Sequence, residues 1–158
     1  SDEYILPIRL HHFCAAGYDV PADGQFIFDL SAYNCVEDLY LISDLLITDY
    51  SSVMFDYALL HKPMLFFTYD LEEYSEQLRG VYVDIEKEAP GPLVFNTDEL
   101  VDTIAHLDTE MEKCRERTQR FMDKFLTYEQ GDSCRQIVER VLAPKPAHRW
   151  LAKFKRRK

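Results

Sequence analysis

Ser51, Ser52 and Asp56 carry the densest chemical signal in this 158-residue chain. They sit where an apolar run, Leu45-Leu46-Ile47-Thr48, breaks into Asp49-Tyr50 and restarts as Val53-Met54-Phe55. Hydroxyls at such a break do one of two things. They cap the helix that follows, or they join its free amides in binding the oxygens of a phosphate. The residues alone leave both readings open. Asp56 adds an asymmetry, because it is the only charge between Val53 and Leu60, a stretch that otherwise reads as buried. A buried carboxylate needs a partner, either a backbone amide or arginine of the protein, or a pair of sugar hydroxyls. A second group is Arg9-Leu10-His11. Residues two apart in an extended segment share a face, so Arg9 and His11 point together and His12 points away. His11 is therefore the better site candidate; a surface ion pair for Arg9 and an exposed loop for His11 are the plain alternatives. Adjacent histidines on a regular strand do not chelate one metal. Cys14, Cys35, Cys114 and Cys134 lack CxxC spacing, which argues against a zinc site or a disulfide framework and for free thiols. No metal or other cofactor is expected.

The elements that position these residues follow from pattern. Leu45 to Thr48 has the composition of a strand covered on both faces, and Val53 to Leu60 that of a buried helix, so the unit reads strand, turn, helix, with a ligand beyond the strand's carboxyl end. Ahead of it, Tyr4 to Leu10 reads as a strand whose Pro7 favours an edge, and Gln25 to Leu30 as another. A helix from Val36 to Ser43 follows, with Asn34 and Glu37 in capping-box spacing. Behind Lys62-Pro63 comes a buried strand, Met64 to Phe67, then a helix from Leu71 to Leu78 stopped by Gly80, and a brief strand from Val81 to Ile85. Glu86 to Pro92 reads as loop, since two prolines flank a glycine. Helices are expected from Thr97, with Thr97 as cap, from Thr109 to Leu126 and from Asp132 to Leu142. This alternation predicts an α/β fold, a Rossmann-like doubly wound parallel sheet.

Length and composition bound the function. The chain is one domain's worth, read as residues 1–143 followed by a basic tail, 144–158. Net charge is -10, which argues against a general nucleic-acid surface. The charge is uneven: residues 148–158 hold six Lys and Arg and no acid, leaving 12 basic against 28 acidic residues before them. No apolar run is long enough to span a bilayer and no signal peptide precedes the first strand, so a soluble or peripheral protein is expected. Trp150 and Phe154 would share a helical face among the basic residues, which suits contact with an anionic membrane surface; a solvated tail is the alternative.

LITDYSSVMFD from Leu46 to Asp56, then His61-Lys62-Pro63, Phe66-Phe67, Tyr69-Asp70-Leu71-Glu72 and Leu78-Arg79-Gly80, resembles the carboxyl-terminal half of the CDP-glycerol glycerophosphotransferases. These are the teichoic acid polymerases and primases of Gram-positive bacteria. The resemblance runs from about Tyr4 to His106 and includes Arg9-Leu10-His11. It implies the carboxyl-terminal half of a GT-B glycosyltransferase, transfer of glycerol phosphate from CDP-glycerol to a lipid-linked acceptor, and a cytoplasmic enzyme peripheral to the cell membrane. Arg79 becomes a candidate phosphate ligand, with an ion pair as its alternative, and the acidic Pro-Gly-Pro stretch falls close to the nucleotide. More distantly, Asp49 to Asp56 and Lys62-Pro63 are similar to the nucleotide loop of the UDP-N-acetylglucosamine epimerases. That likeness implies Ser51 and Ser52 on the phosphates, Asp56 on the ribose and Asp49 orienting the loop. The family's candidate base lies on an amino-terminal side that this chain lacks, so a donor-binding half-site, inactive alone, is expected. A CDP-ribitol or UDP-sugar domain and a non-catalytic interaction domain are the alternatives.

Overall fold

The computed structural model describes residues 3–11, 17–71, 83–129 and 131–142. The chain divides into two compact units, residues 1–44 and 45–158. In the first, β1 (Leu6–Ile8) pairs in parallel with β2 (Ile27–Asp29), Pro7 opposite Phe28. Pro7, which has no amide to donate, is exposed between Leu6 and Ile8, whose backbone groups make the ladder contacts with Phe26 and Leu30. One oxygen of Asp23 accepts from the amides of Gln25, Phe26 and Ile27 at 2.9, 2.7 and 2.8 Å, which fixes the turn into β2. Gly24 takes the left-handed conformation this turn needs, φ 69°. Helix α1 (Val36–Ile42) starts from Cys35, which makes no side-chain cap. The expected Asn34–Glu37 box therefore does not close, because Asn34 stands one residue outside the cap position.

The second unit contains a three-stranded parallel sheet in the order β3 (Leu46–Thr48), β4 (Met64–Phe67), β5 (Leu93–Val94). The parallel α/β expectation is met, but the sheet's centre moves. β4 has a ladder on each side, and its Met64, Leu65 and Phe66 are no more than 1% exposed. β3 is an edge strand of this sheet and half-buried throughout, not covered on both faces. Between them α2 (Val53–Ala58) buries Met54, Tyr57 and Ala58, the i, i+3, i+4 face, and ends two residues earlier than its apolar run. Successive bonds from Leu59, Leu60 and His61 back to the third preceding carbonyl tighten its last turn, and His61 reverses the chain at φ 54° ahead of Pro63.

The second unit is closed by α5 (Leu107–Phe125), reached through α3 (Ile85–Glu88) and α4 (Thr97–Ala105). Asp84 accepts from the Lys87 amide at 3.2 Å, so one helical turn forms at Ile85 to Glu88, at the end of the expected Val81 to Ile85 strand, whose first two residues lie outside the described residues, and in place of the loop expected from Glu86. Asn96, not Thr97, caps α4: its side chain accepts from the Glu99 amide at 2.9 Å and donates to the Glu99 carboxylate at 2.8 Å. Phe121 and Phe125 of α5 close on Phe55 of α2, with ring centroids 5.2 Å apart in both pairs. Helix α6 (Ser133–Leu142) follows. The helix expected over Leu71 to Leu78, and the tail, lie outside the described residues apart from Leu71.

Candidate functional site

The carboxyl edge of the three-stranded sheet carries the chain's polar junction. β3 ends at Thr48, and Asp49 turns back to accept the Ser51 amide at 3.1 Å, an Asx turn that lifts the chain from strand to helix. Ser51 is half-buried, and its hydroxyl takes the Val53 amide only at 3.4 Å, a long contact for N–H···O. Ser52 occupies the cap position but has helical angles, φ -63° and ψ -9°, and makes no side-chain cap. Capping is thus served weakly by Ser51 and not at all by Ser52, whose side chain is exposed.

Asp56 corrects the sequence reading. It is exposed, so no buried carboxylate requires a partner. The reason lies in α2's geometry: Met54, Tyr57 and Ala58 face the core and Phe55 faces α5, which leaves Asp56 on the remaining side. That side is also where Ser52 stands, since residues four apart share a helical face. A hydroxyl and a carboxylate are therefore displayed together to solvent at the start of α2.

Neighbouring strands contribute a feature that the sequence reading did not assign. The Tyr50 hydroxyl donates to Asp70 at 2.9 Å, which joins the loop after β3 to the loop after β4. Asp70 is carried by a turn in which the Leu71 amide donates to the Thr68 carbonyl at 3.3 Å. The available signal was two polar residues, each just past an apolar strand.

Arg9 and His11 belong to the first unit, immediately after β1. Both are exposed, with half-buried Leu10 between them. The Leu10 amide is fixed by the Ser31 hydroxyl at 3.1 Å. Arg79 lies outside the described residues. Pro90-Gly91-Pro92, which the resemblance puts close to the nucleotide, is buried beside Met64, at the amino edge of β4 and opposite Ser51. Arg117 donates to the Gly91 carbonyl and Thr118 to the Pro90 carbonyl at 3.0 Å, so within this unit the loop is a packing device. The cleft beside it, lined by Lys87, Arg117, Arg120 and Lys124, is an ion-pair seam: Lys87 meets Asp84 at 2.6 Å and Lys124 meets Glu88 at 2.7 Å. Among the described residues no group of three His, Cys, Asp or Glu is placed to hold a metal, and no helix is long and apolar enough to cross a membrane.

Comparison with known proteins gives these positions their context. The teichoic acid poly(glycerol phosphate) polymerase of Bacillus subtilis (strain 168) is 46% identical over 141 residues, 89% of this chain and 19% of the relative. The teichoic acid glycerol-phosphate transferase of Staphylococcus aureus (strain NCTC 8325 / PS 47) is 40% identical over 89% of this chain and 36% of its own length. The teichoic acid poly(ribitol-phosphate) polymerase of Bacillus spizizenii (strain ATCC 23059 / NRRL B-14472 / W23) is 34% identical over 91% of this chain and 23% of its own length. The solved structure of the wall teichoic acid polymerase TagF superposes with a TM-score of 0.75 at 38% identity, covering 86% of this chain and 33% of that one. A variant of that polymerase has been solved after soaking with CDPG. The chain thus spans about a fifth to a third of these relatives. Residues 1–143 match the family model described as CDP-Glycerol:Poly(glycerophosphate) glycerophosphotransferase, and the chain belongs to that family.

Proposed function

We propose that this chain is the donor-nucleotide-binding part of a glycerophosphotransferase that moves glycerol phosphate from CDP-glycerol to a lipid-linked polyol-phosphate acceptor, releasing CMP. The observation that carries the reading is the joint exposure of Ser52 and Asp56 on one face of α2, beyond the carboxyl edge of a parallel sheet. Ser51 and Ser52 meet the phosphates, Asp56 accepts from the ribose hydroxyls, and Asp49 holds the loop between strand and helix. Arg9, His11 and Arg79 provide the cationic and N–H donors, with His11 as the catalytic candidate. Charge developing on the attacked phosphoryl group is what such donors stabilise. None of these residues is assigned to remove the acceptor's proton, so this polypeptide is expected not to transfer by itself, and with Asp56 exposed to water it is expected to bind donor nucleotide weakly.

A poly(ribitol-phosphate) polymerase among the relatives supports CDP-ribitol as a second donor. Phosphate and ribose contacts alone do not distinguish the two. In the cell the reading places the enzyme at the cytoplasmic face of the membrane, with the basic residues of 144–158 toward anionic lipid. The test is calorimetry with CDP, CMP and UDP on the wild type and on Asp56→Asn. Preferential CDP binding, weakened by about 1 to 3 kcal/mol in the variant at unchanged Tm, is the expected result for loss of a charged hydrogen bond. Absence of binding to any nucleotide would favour an interaction domain, and UDP preference a different sugar donor.

A further inference from the structure

The bonds of the loop that displays Ser51 and Ser52 are short-range: the Met54 amide meets the Ser51 carbonyl at 3.4 Å and the Phe55 amide the Ser52 carbonyl at 3.1 Å. The Ser51 amide bond to Asp49 is exposed, and the Val53 amide reaches the Ser51 hydroxyl only at 3.4 Å. Between them and the sheet stands Tyr50, whose hydroxyl donates to Asp70 at 2.9 Å in a partly buried contact twenty residues away in sequence. Asp70 is itself fixed. Thr68, 0% exposed, donates its amide to the Val94 carbonyl at 2.9 Å and accepts from the Leu71 amide, so Tyr69 and Asp70 are the middle of a turn seated on the central strand and laced to β5. One hydrogen bond thereby carries the position of the sheet's most buried strand into the residue preceding Ser51. Tyrosine suits this task because its rigid ring ends in a polar tip that needs an acceptor and loses little conformational freedom when held.

We propose that the Tyr50–Asp70 hydrogen bond is a clasp that preorganises Asp49 to Ser52 for the donor's phosphates, making Tyr50 and Asp70 positioning residues for donor binding. The inference rests on the reading of Ser51 and Ser52 as phosphate contacts. A loop already in its bound geometry receives an anion without the ordering cost that a loose loop carries.

The test combines CDP calorimetry with amide hydrogen exchange on the 158-residue chain and its Tyr50→Phe, Asp70→Ala, Asp70→Asn and Tyr50→Phe/Asp70→Ala variants. Tyr50→Phe and Asp70→Ala should bind CDP about three- to tenfold more weakly, the scale of one partly buried hydrogen bond. Asp70→Asn, which can still accept, should recover most of the affinity, and the double variant should be no weaker than the worse single one. Without nucleotide, exchange at the Ser51 and Val53 amides should quicken in the first two variants while β4 stays protected. Unchanged exchange at these amides in Tyr50→Phe would overturn the clasp. Faster exchange with unchanged CDP affinity would overturn its positioning role. Faster exchange in a chain whose wild type binds no CDP would keep the clasp and overturn the nucleotide reading instead.

Discussion

Gly91→Ala should unfold this protein at a markedly lower temperature. A Cβ on Gly91 would stand 2.0 Å from the Met64 carbonyl oxygen and 3.0 Å from its carbon. Comfortable non-bonded separations begin at roughly 3.5 Å, so the overlap exceeds 1 Å. The obstructing atom is backbone of a central strand that is 1% exposed at Met64, and it cannot swing aside as a side chain would. Retreat of the loop is opposed from the other side by Arg117 on the Gly91 carbonyl and Thr118 on the Pro90 carbonyl. Overpacking of this kind costs about 1 to 3 kcal/mol. Loss of the arginine contact adds roughly 1.5 to 3 kcal/mol. A total of about 2.5 to 6 kcal/mol at 2 to 4 °C per kcal/mol lowers Tm by about 5 to 24 °C for a chain this long. Thermal and urea melts read the effect directly, and a Tm within about 2 °C of wild type would refute the packing argument. Because Gly91 lies at the edge opposite Ser51, CDP affinity measured well below the variant's Tm should be unchanged. Loss of binding at unaltered Tm would instead return Pro90-Gly91-Pro92 to the nucleotide.

Phe121→Ala, at a position 2% exposed and packed on Phe55, should cost about 3 to 5 kcal/mol in urea unfolding; a smaller loss would mean that α5 does not anchor α2. The Asp23 carboxyl is held below the usual aspartate range by the amide of Gln25 foremost, then those of Ile27 and Phe26. Its contribution is therefore present above the unfolded value and lost as pH falls through the lower folded value. An NMR titration should find Asp23 among the last carboxyls to protonate, and Asp23→Asn should flatten the acid limb of the first unit's stability; an ordinary Asp23 midpoint would refute this. Sedimentation with anionic liposomes should show binding that is lost when residues 148–158 are removed; equal binding by both forms would exclude the tail.

The elements written as long single-period runs were readable in the sequence, and those set by a few hydrogen bonds were not. Met64-Leu65-Phe66-Phe67 is apolar on both faces and became the buried strand it resembles. β5 is two residues long and exists because β4 offers it a ladder, which no local pattern could announce. Ile85 to Glu88 was hidden by the prolines just beyond it, yet Asp84 suffices to start one helical turn. Asn96 and Asn34 have the same Asn-x-x-Glu spacing, and only the first caps, because the chain enters α1 one residue later than that spacing assumes.

The site shows why burial inferred from composition can mislead about a charge. Asp56 is the one acid in an apolar stretch, and burial there would demand a partner. In the fold the apolar residues of α2 serve two different neighbours, the sheet through Met54, Tyr57 and Ala58, and α5 through Phe55. Two packed faces rigidify a helix of only six residues while leaving a third side open. Asp56 remains a candidate for a different reason: rigidity, exposure and the Ser52 hydroxyl one turn away make it a fixed acceptor facing solvent. A buried acid would bind a ligand to relieve a desolvation cost, and its affinity would fall with any change that admitted water. An exposed acid on a packed helix gains instead from geometry alone, so its contribution should grow as a covering surface lowers the local dielectric around it. The weak donor binding expected of this polypeptide follows from that difference.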